Sequence, residues 1–136
     1  MKIRLTVIEY LGIIGLLIYF ITIVVRRYEI IDNSNFNLFW FAPNFGGAWF
    51  TTALIKQFFS PVGTNKPISS IVFSIKSYAI ICFGVVILAI INEYAYLLNT
   101  SGAFDIVDVI ATIVAQILIF TLPIIRKEKC LVEYAE

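Results

Sequence analysis

The sequence predicts an all-α integral membrane bundle of four transmembrane helices, the second short or irregular. Three observations predict it. Hydrophobic residues make up 60% of the 136-residue chain, and its mean hydropathy is +0.93. Charged residues make up only 14%, against roughly 25% in soluble domains, although a small soluble protein needs abundant polar surface. The apolar residues are also gathered in long runs separated by charged or turn-forming stretches. A run of about 20 apolar residues crosses the hydrocarbon core as a helix. An isolated strand would leave its backbone groups unpaired there. The length suits one domain over residues 1–136.

The first span covers about residues 5–26. It is longer than a signal-peptide apolar region and ends at Arg26-Arg27-Tyr28 without a small-residue cleavage site, which marks a retained helix. Glu9 is the charge within it and reads as a snorkelling residue at the interface. Gly12 and Gly15 share a face and permit close helix contact.

The second span covers about residues 43–59. Pro43, Asn44, Gly46 and Gly47 interrupt the aromatic segment that begins at Phe36. Proline suits a first helical turn and asparagine suits a cap, so the helix is expected to start there. About 16 residues at 1.5 Å each give roughly 24 Å, short for a full span. Phe36–Phe41 then lies at the interface, or the whole segment re-enters on one side. The stretch Pro43, Asn44, Gly46, Gly47 and Trp49 reads as a membrane-approach turn with aromatic anchors, or as an aromatic groove near a headgroup.

The third span covers about residues 70–93, after the turn-rich loop 60–67, and stops at Asn92-Glu93. Lys76 reads as a snorkelling residue near its start. The fourth covers about residues 105–125 and stops at Arg126-Lys127. Asp105 suits its N-cap. Gln116, in the middle of this span, is expected to bond a hydroxyl or backbone carbonyl of a neighbouring helix.

Basic residues orient the chain. With both termini in the cytoplasm, Lys2, Arg4, Lys56, Lys66, Lys76, Arg126, Lys127 and Lys129 lie inside, and Arg26 and Arg27 outside. The expected location is a bacterial inner membrane, multi-pass, N-in and C-in. A re-entrant second segment would instead give three spans and termini on opposite sides.

The composition excludes several functions. Histidine is absent, which removes the commonest metal ligand and general base. Cys82 and Cys130 sit in unlike surroundings and lack the paired spacing of a zinc site. No basic cluster is large enough for nucleic acid. No metal site or cofactor is expected. Membrane lipids are the expected partners, with other membrane proteins or a second copy as further candidates.

The candidate site is the polar cluster Glu93, Asp105, Asp108, Arg26 and Arg27. Glu93 closes one apolar run, and Asp105 and Asp108 open the next on one helix face. Gathered carboxylates need an offsetting charge. The four-span reading brings Arg26 and Arg27 to the same side. Three roles fit: a structural ion pair, caps at the helix start, or a pocket for a lipid headgroup, a metal ion or a polar ligand.

Glu93 followed by Phe104-Asp105-Ile106-Val107-Asp108 resembles the motif of the VanZ-like family of small bacterial membrane proteins. The likeness covers roughly residues 36–125, including Pro43-Asn44-Phe45. The chain departs from that pattern at Tyr96, at Ser101-Gly102-Ala103, and at Ala111 and Thr112, where family members often carry glutamine, arginine and asparagine respectively. The resemblance implies a cell-envelope role, sometimes linked to glycopeptide tolerance, and supplies no reaction. The leading expectation is an envelope protein without catalytic activity that binds a lipid or envelope component. The alternatives are an assembly subunit of a membrane complex and a metal-dependent enzyme acting on a lipid-linked substrate.

Overall fold

Four helices account for nearly all of the structure, a computed structural model that describes residues 6–28, 38–59, 75–100 and 102–125. They are α1 (Val7–Arg27), α2 (Leu38–Phe59), α3 (Ile75–Asn99) and α4 (Ile106–Ile125). The chain is an integral membrane protein built as a four-helix bundle: α1, α3 and α4 are long and apolar enough to cross a bilayer. Residue 5, residues 70–74 and the basic stretch 126–129 lie outside the described residues.

α2 occupies the interior of the bundle. It packs along α1 on one side and α4 on the other, while α3 leans mainly on α4. Among the α2 side chains described, only Leu54 and Phe58 are exposed. The least apolar helix is thus the one most shielded from lipid by protein. α3 buries the smallest share of its apolar span and presents Ile80, Phe83, Leu88 and Ile91 outward, the arrangement expected where lipid rather than water is the solvent.

Small residues set the α1–α2 distance. A Cβ at Gly12 would overlap the Ala53 side chain, and one at Gly15 would overlap the Gly46 carbonyl. The reverse holds too, since a Cβ at Gly46 would stand 2.5 Å from the Gly15 carbonyl oxygen. Backbones this close gain van der Waals contact, the main attraction between helices when lipid tails are as apolar as the side chains. The core beside this crossing comprises Ile8, Leu11, Ala48, Trp49 and Ala53, and continues through Tyr78, Ile81, Cys82 and Val85 to Ala115 and Ile119.

Two boundaries differ from the sequence expectation. α2 begins at Leu38, five residues before Pro43, which sits inside the helix. A proline at the sixth helical position removes a single hydrogen bond, the one to the carbonyl four residues back. A spanning helix tolerates that loss when neighbouring helices surround it. The described part of the aromatic stretch before Pro43, residues 38–42, therefore joins the helix, and 22 residues at about 1.5 Å each reach roughly 33 Å. α3 runs on past Glu93 to Asn99. Tyr94–Leu98 contains no breaker, and the end is fixed by the side chains of Asn99, bonded to Ala95 O at 2.8 Å, and Thr100, bonded to Tyr96 O at 2.7 Å.

Candidate functional site: a polar cleft at one end of the bundle

The helix ends at one pole converge on an open cleft of roughly 600 Å³. Arg26 of α1, Asn92, Glu93, Tyr96 and Asn99 of α3, and Asp105 and Asp108 at the start of α4 line it. The antiparallel α3–α4 hairpin explains much of this: a loop of a few residues returns the chain, so the last turns of α3 face the first turn of α4. The extension of α3 beyond Glu93 makes its final turns one wall of the cleft.

Each carboxylate has a definite local role. Asp105 caps α4, its Oδ1 accepting the Val107 amide at 2.9 Å, one of the amides a helix start leaves without an internal partner. Glu93 Oε2 accepts the Asp105 amide at 3.3 Å and ties the two helices across the turn. Asp108 is half-buried, with the Asn44 side chain of α2, Asp105 and Arg26 close enough to act on its charge. Asn44 and Asp108 thus join two stretches that the sequence presents as separate features.

The remaining sequence-stretch candidates divide. Arg27 is exposed and does not line the cleft: neighbouring helical residues point about 100° apart, so Arg27 is turned away from the direction that Arg26 takes. Pro43 and Gly46 are buried, and Gly47 lies beside the Tyr19 ring. Trp49 is no interfacial anchor. It is buried in the core, stacked at a tilt on Phe45 with ring centroids 4.7 Å apart, and its Nε1 donates to Ala115 O at 2.8 Å. The segment 43–49 is continuous helix, so no turn forms there. Helix was masked in the sequence by residues that favour turns when no neighbouring helix completes their hydrogen bonds.

Gln116 bonds both kinds of partner expected of it. Its Nε2 donates to Ala48 O at 3.2 Å, and its Oε1 accepts the Thr52 hydroxyl at 3.0 Å. These bonds and that of Trp49 link α2 to α4 through the middle of the bundle.

A second polar group, at the opposite pole, was not anticipated. Glu9 is buried, 5% exposed, and its Oε1 lies 2.5 Å from Lys56 Nζ of α2. Gln57 Nε2 donates to the same oxygen at 3.2 Å, and Glu9 Oε2 accepts the Thr6 amide at 2.6 Å. Glu9 is therefore an interhelical partner rather than a snorkelling residue: the glycine crossing draws α2 against α1, and the carboxylate reaches protein donors before headgroups. The sequence held one usable signal, Thr6-Val7-Ile8-Glu9, the spacing of a capping box. Lys76, in contrast, is exposed.

Among the described residues, no group of three or more His, Cys, Asp or Glu side chains is placed to hold a metal ion, so Glu93, Asp105 and Asp108 form a wall rather than a coordination sphere. The cleft is polar, open and mixed in charge, suited to hydrogen bonding and ion pairing with a ligand that carries both signs. Compared with known protein families, curated proteins and solved structures, the chain matches none.

Proposed function

We propose that this protein binds the polar headgroup of a lipid, or of a lipid-linked envelope component, in the cleft formed by α1, α3 and α4. The observation that carries this reading is the cleft itself, where Arg26 stands with Glu93, Asp105 and Asp108 at the end of a membrane bundle. A headgroup with an ammonium and a phosphate matches both signs: carboxylates take the ammonium and the guanidinium takes the phosphate. Tyr96 and Asn99 supply further hydrogen bonds on the α3 side. The ligand's chains would remain in the bilayer, so the site needs only to hold the head.

The distribution of lysine and arginine supports a bacterial cytoplasmic membrane with both termini inside, the Glu9–Lys56 pole inward and the cleft outward. The resemblance of Phe104-Asp105-Ile106-Val107-Asp108 to the VanZ-like motif agrees with an envelope role. Binding without turnover accords best with the residues present, since Asp105 already serves as a cap and Glu93 as a helix tie, and Asp108 lies beside Asn44. A second reading, a subunit of a membrane complex, draws on the largely outward apolar surface of α3.

The test is lipid binding to the purified full-length protein in nanodiscs, comparing phosphoethanolamine with phosphoglycerol headgroups. Preferential retention of phosphoethanolamine lipid, lost on Arg26→Gln and on Asp108→Asn, is the expected result. Equal retention of both lipids by the wild type and both variants would overturn the reading.

A further inference from the structure

We infer that α2 crosses the membrane as a dependent helix, and that Glu9 of α1 is the counter-ion that allows Lys56 to enter. Three observations lead there. First, α2 is long enough to span but, unlike α1, α3 and α4, does not qualify on hydropathy. It carries Asn44, Thr51, Thr52, Lys56 and Gln57 as well as Pro43. Second, partners on other helices answer most of these polar groups. Lys56 and Gln57 meet Glu9, Thr52 meets Gln116, Trp49 meets the Ala115 carbonyl, and Asn44 lies close to Asp108. Among the described residues no buried side-chain nitrogen or oxygen lacks a hydrogen bond. Third, these partners become available at different times. α4 lies some way downstream of α2 and α1 directly upstream, so Glu9 is in the membrane when α2 follows, and Asp108, Ala115 and Gln116 are not.

Lys56 is the costliest of these groups to bring toward hydrocarbon, because ionisable residues in spans are tolerated chiefly when they pair or reach water. Its side chain is 4% exposed and does not reach outward. The crossing through Gly12, Gly15, Gly46 and Ala53 brings α2 onto α1 in the register that sets Lys56 against Glu9. α1 and α2 thus insert as a hairpin, and the α2–α4 bonds close on it afterwards. This inference is independent of any ligand in the cleft.

The experiment reads topology in the full chain, with Cys82 and Cys130 replaced by serine and single reporter cysteines at position 33 or 65. In the wild type the two positions label from opposite sides. Glu9→Ala is expected to raise labelling of position 65 from the side of position 33 severalfold, or to lower the protein level severalfold where the misinserted chain is cleared. Adding Lys56→Leu to Glu9→Ala is expected to restore both readouts, because the group that needed the counter-ion is gone. Wild-type topology and level in Glu9→Ala would overturn the inference. So would a defect that Lys56→Leu leaves in place, since Glu9 would then act otherwise than by neutralising Lys56.

Discussion

The Tyr78 hydroxyl of α3 donates to the main-chain carbonyl of Ile119 in α4, the carbonyl that Pro123, four residues on, leaves without its helical donor. Tyr78 is fully buried and its ring lies 5.4 Å from that of Phe120. The proline and the tyrosine therefore form a matched pair: one removes an N–H and the other replaces it from the neighbouring helix.

Tyr78→Phe keeps the ring and strands that carbonyl, so it is expected to destabilise the bundle by about 1–3 kcal/mol. Pro123→Ala returns a backbone N–H to Ile119, and Tyr78→Phe in that background is expected to cost about 1 kcal/mol less. Reversible unfolding in mixed detergent measures the cycle. Strictly additive effects would show that the Tyr78 hydroxyl contributes independently of the N–H that Pro123 lacks.

The glycines separate by what surrounds them. A methyl at Gly15 meets the Gly46 carbonyl and the Trp49 Cβ at 2.8 Å, whereas nothing lies within 4 Å of one at Gly84. Gly15→Ala is expected to push α1 off α2 at a cost of about 1–3 kcal/mol. Gly84→Ala, in the middle of α3, is expected to be neutral or stabilising by up to about 1 kcal/mol. Steric trapping in bicelles measures both, and equal effects would mean that the α1–α2 crossing is looser than described.

Gln116 joins α4 to α2 through Thr52 and the Ala48 carbonyl. Gln116→Leu has similar bulk and leaves the Thr52 hydroxyl within 3.0 Å of Ala48 O, so a replacement acceptor is at hand. The expected loss is about 0.6–1.7 kcal/mol, the range of polar contacts between membrane helices. A loss well beyond that would mean that Gln116 sets the α2–α4 register rather than merely adding a bond.

Much of this architecture is legible in the sequence because it is local. The runs that become α1, α3 and α4 announce themselves by length and hydropathy. Glu93, Asp105 and Asp108 reach one cleft because a short turn between two helices leaves them little choice. α2 was harder to read for a physical reason. Pro43, Asn44, Gly46 and Gly47 look like breakers when their partners are unknown, and those partners lie on other helices: Gly15 against Gly46, Asp108 against Asn44. The ion pair of Glu9 with Lys56 spans 47 positions, and no local pattern joins them. Hydropathy measures what a helix shows to lipid, and among its described side chains α2 exposes only Leu54 and Phe58.

The cleft permits charge and fold to be separated. Glu93 accepts the Asp105 amide through one oxygen, a role that the carbonyl oxygen of glutamine also fills. Asp108 lies beside the Asn44 side chain, and asparagine keeps an oxygen that can accept a hydrogen bond there. Glu93→Gln and Asp108→Asn are therefore expected to change stability by less than about 1 kcal/mol, within the scale of one neutral hydrogen bond. If the cleft holds an ammonium-bearing headgroup, each is expected to weaken its binding about tenfold, equivalent to about 1.4 kcal/mol, and the wild-type affinity is expected to fall as salt is raised, since the site is open to water. Lipid retention in nanodiscs and unfolding in the same preparations give the two numbers side by side. Weakened binding at constant stability identifies the carboxylates as ligand contacts. Lost stability at constant binding assigns them instead to the helix cap and the α3–α4 tie.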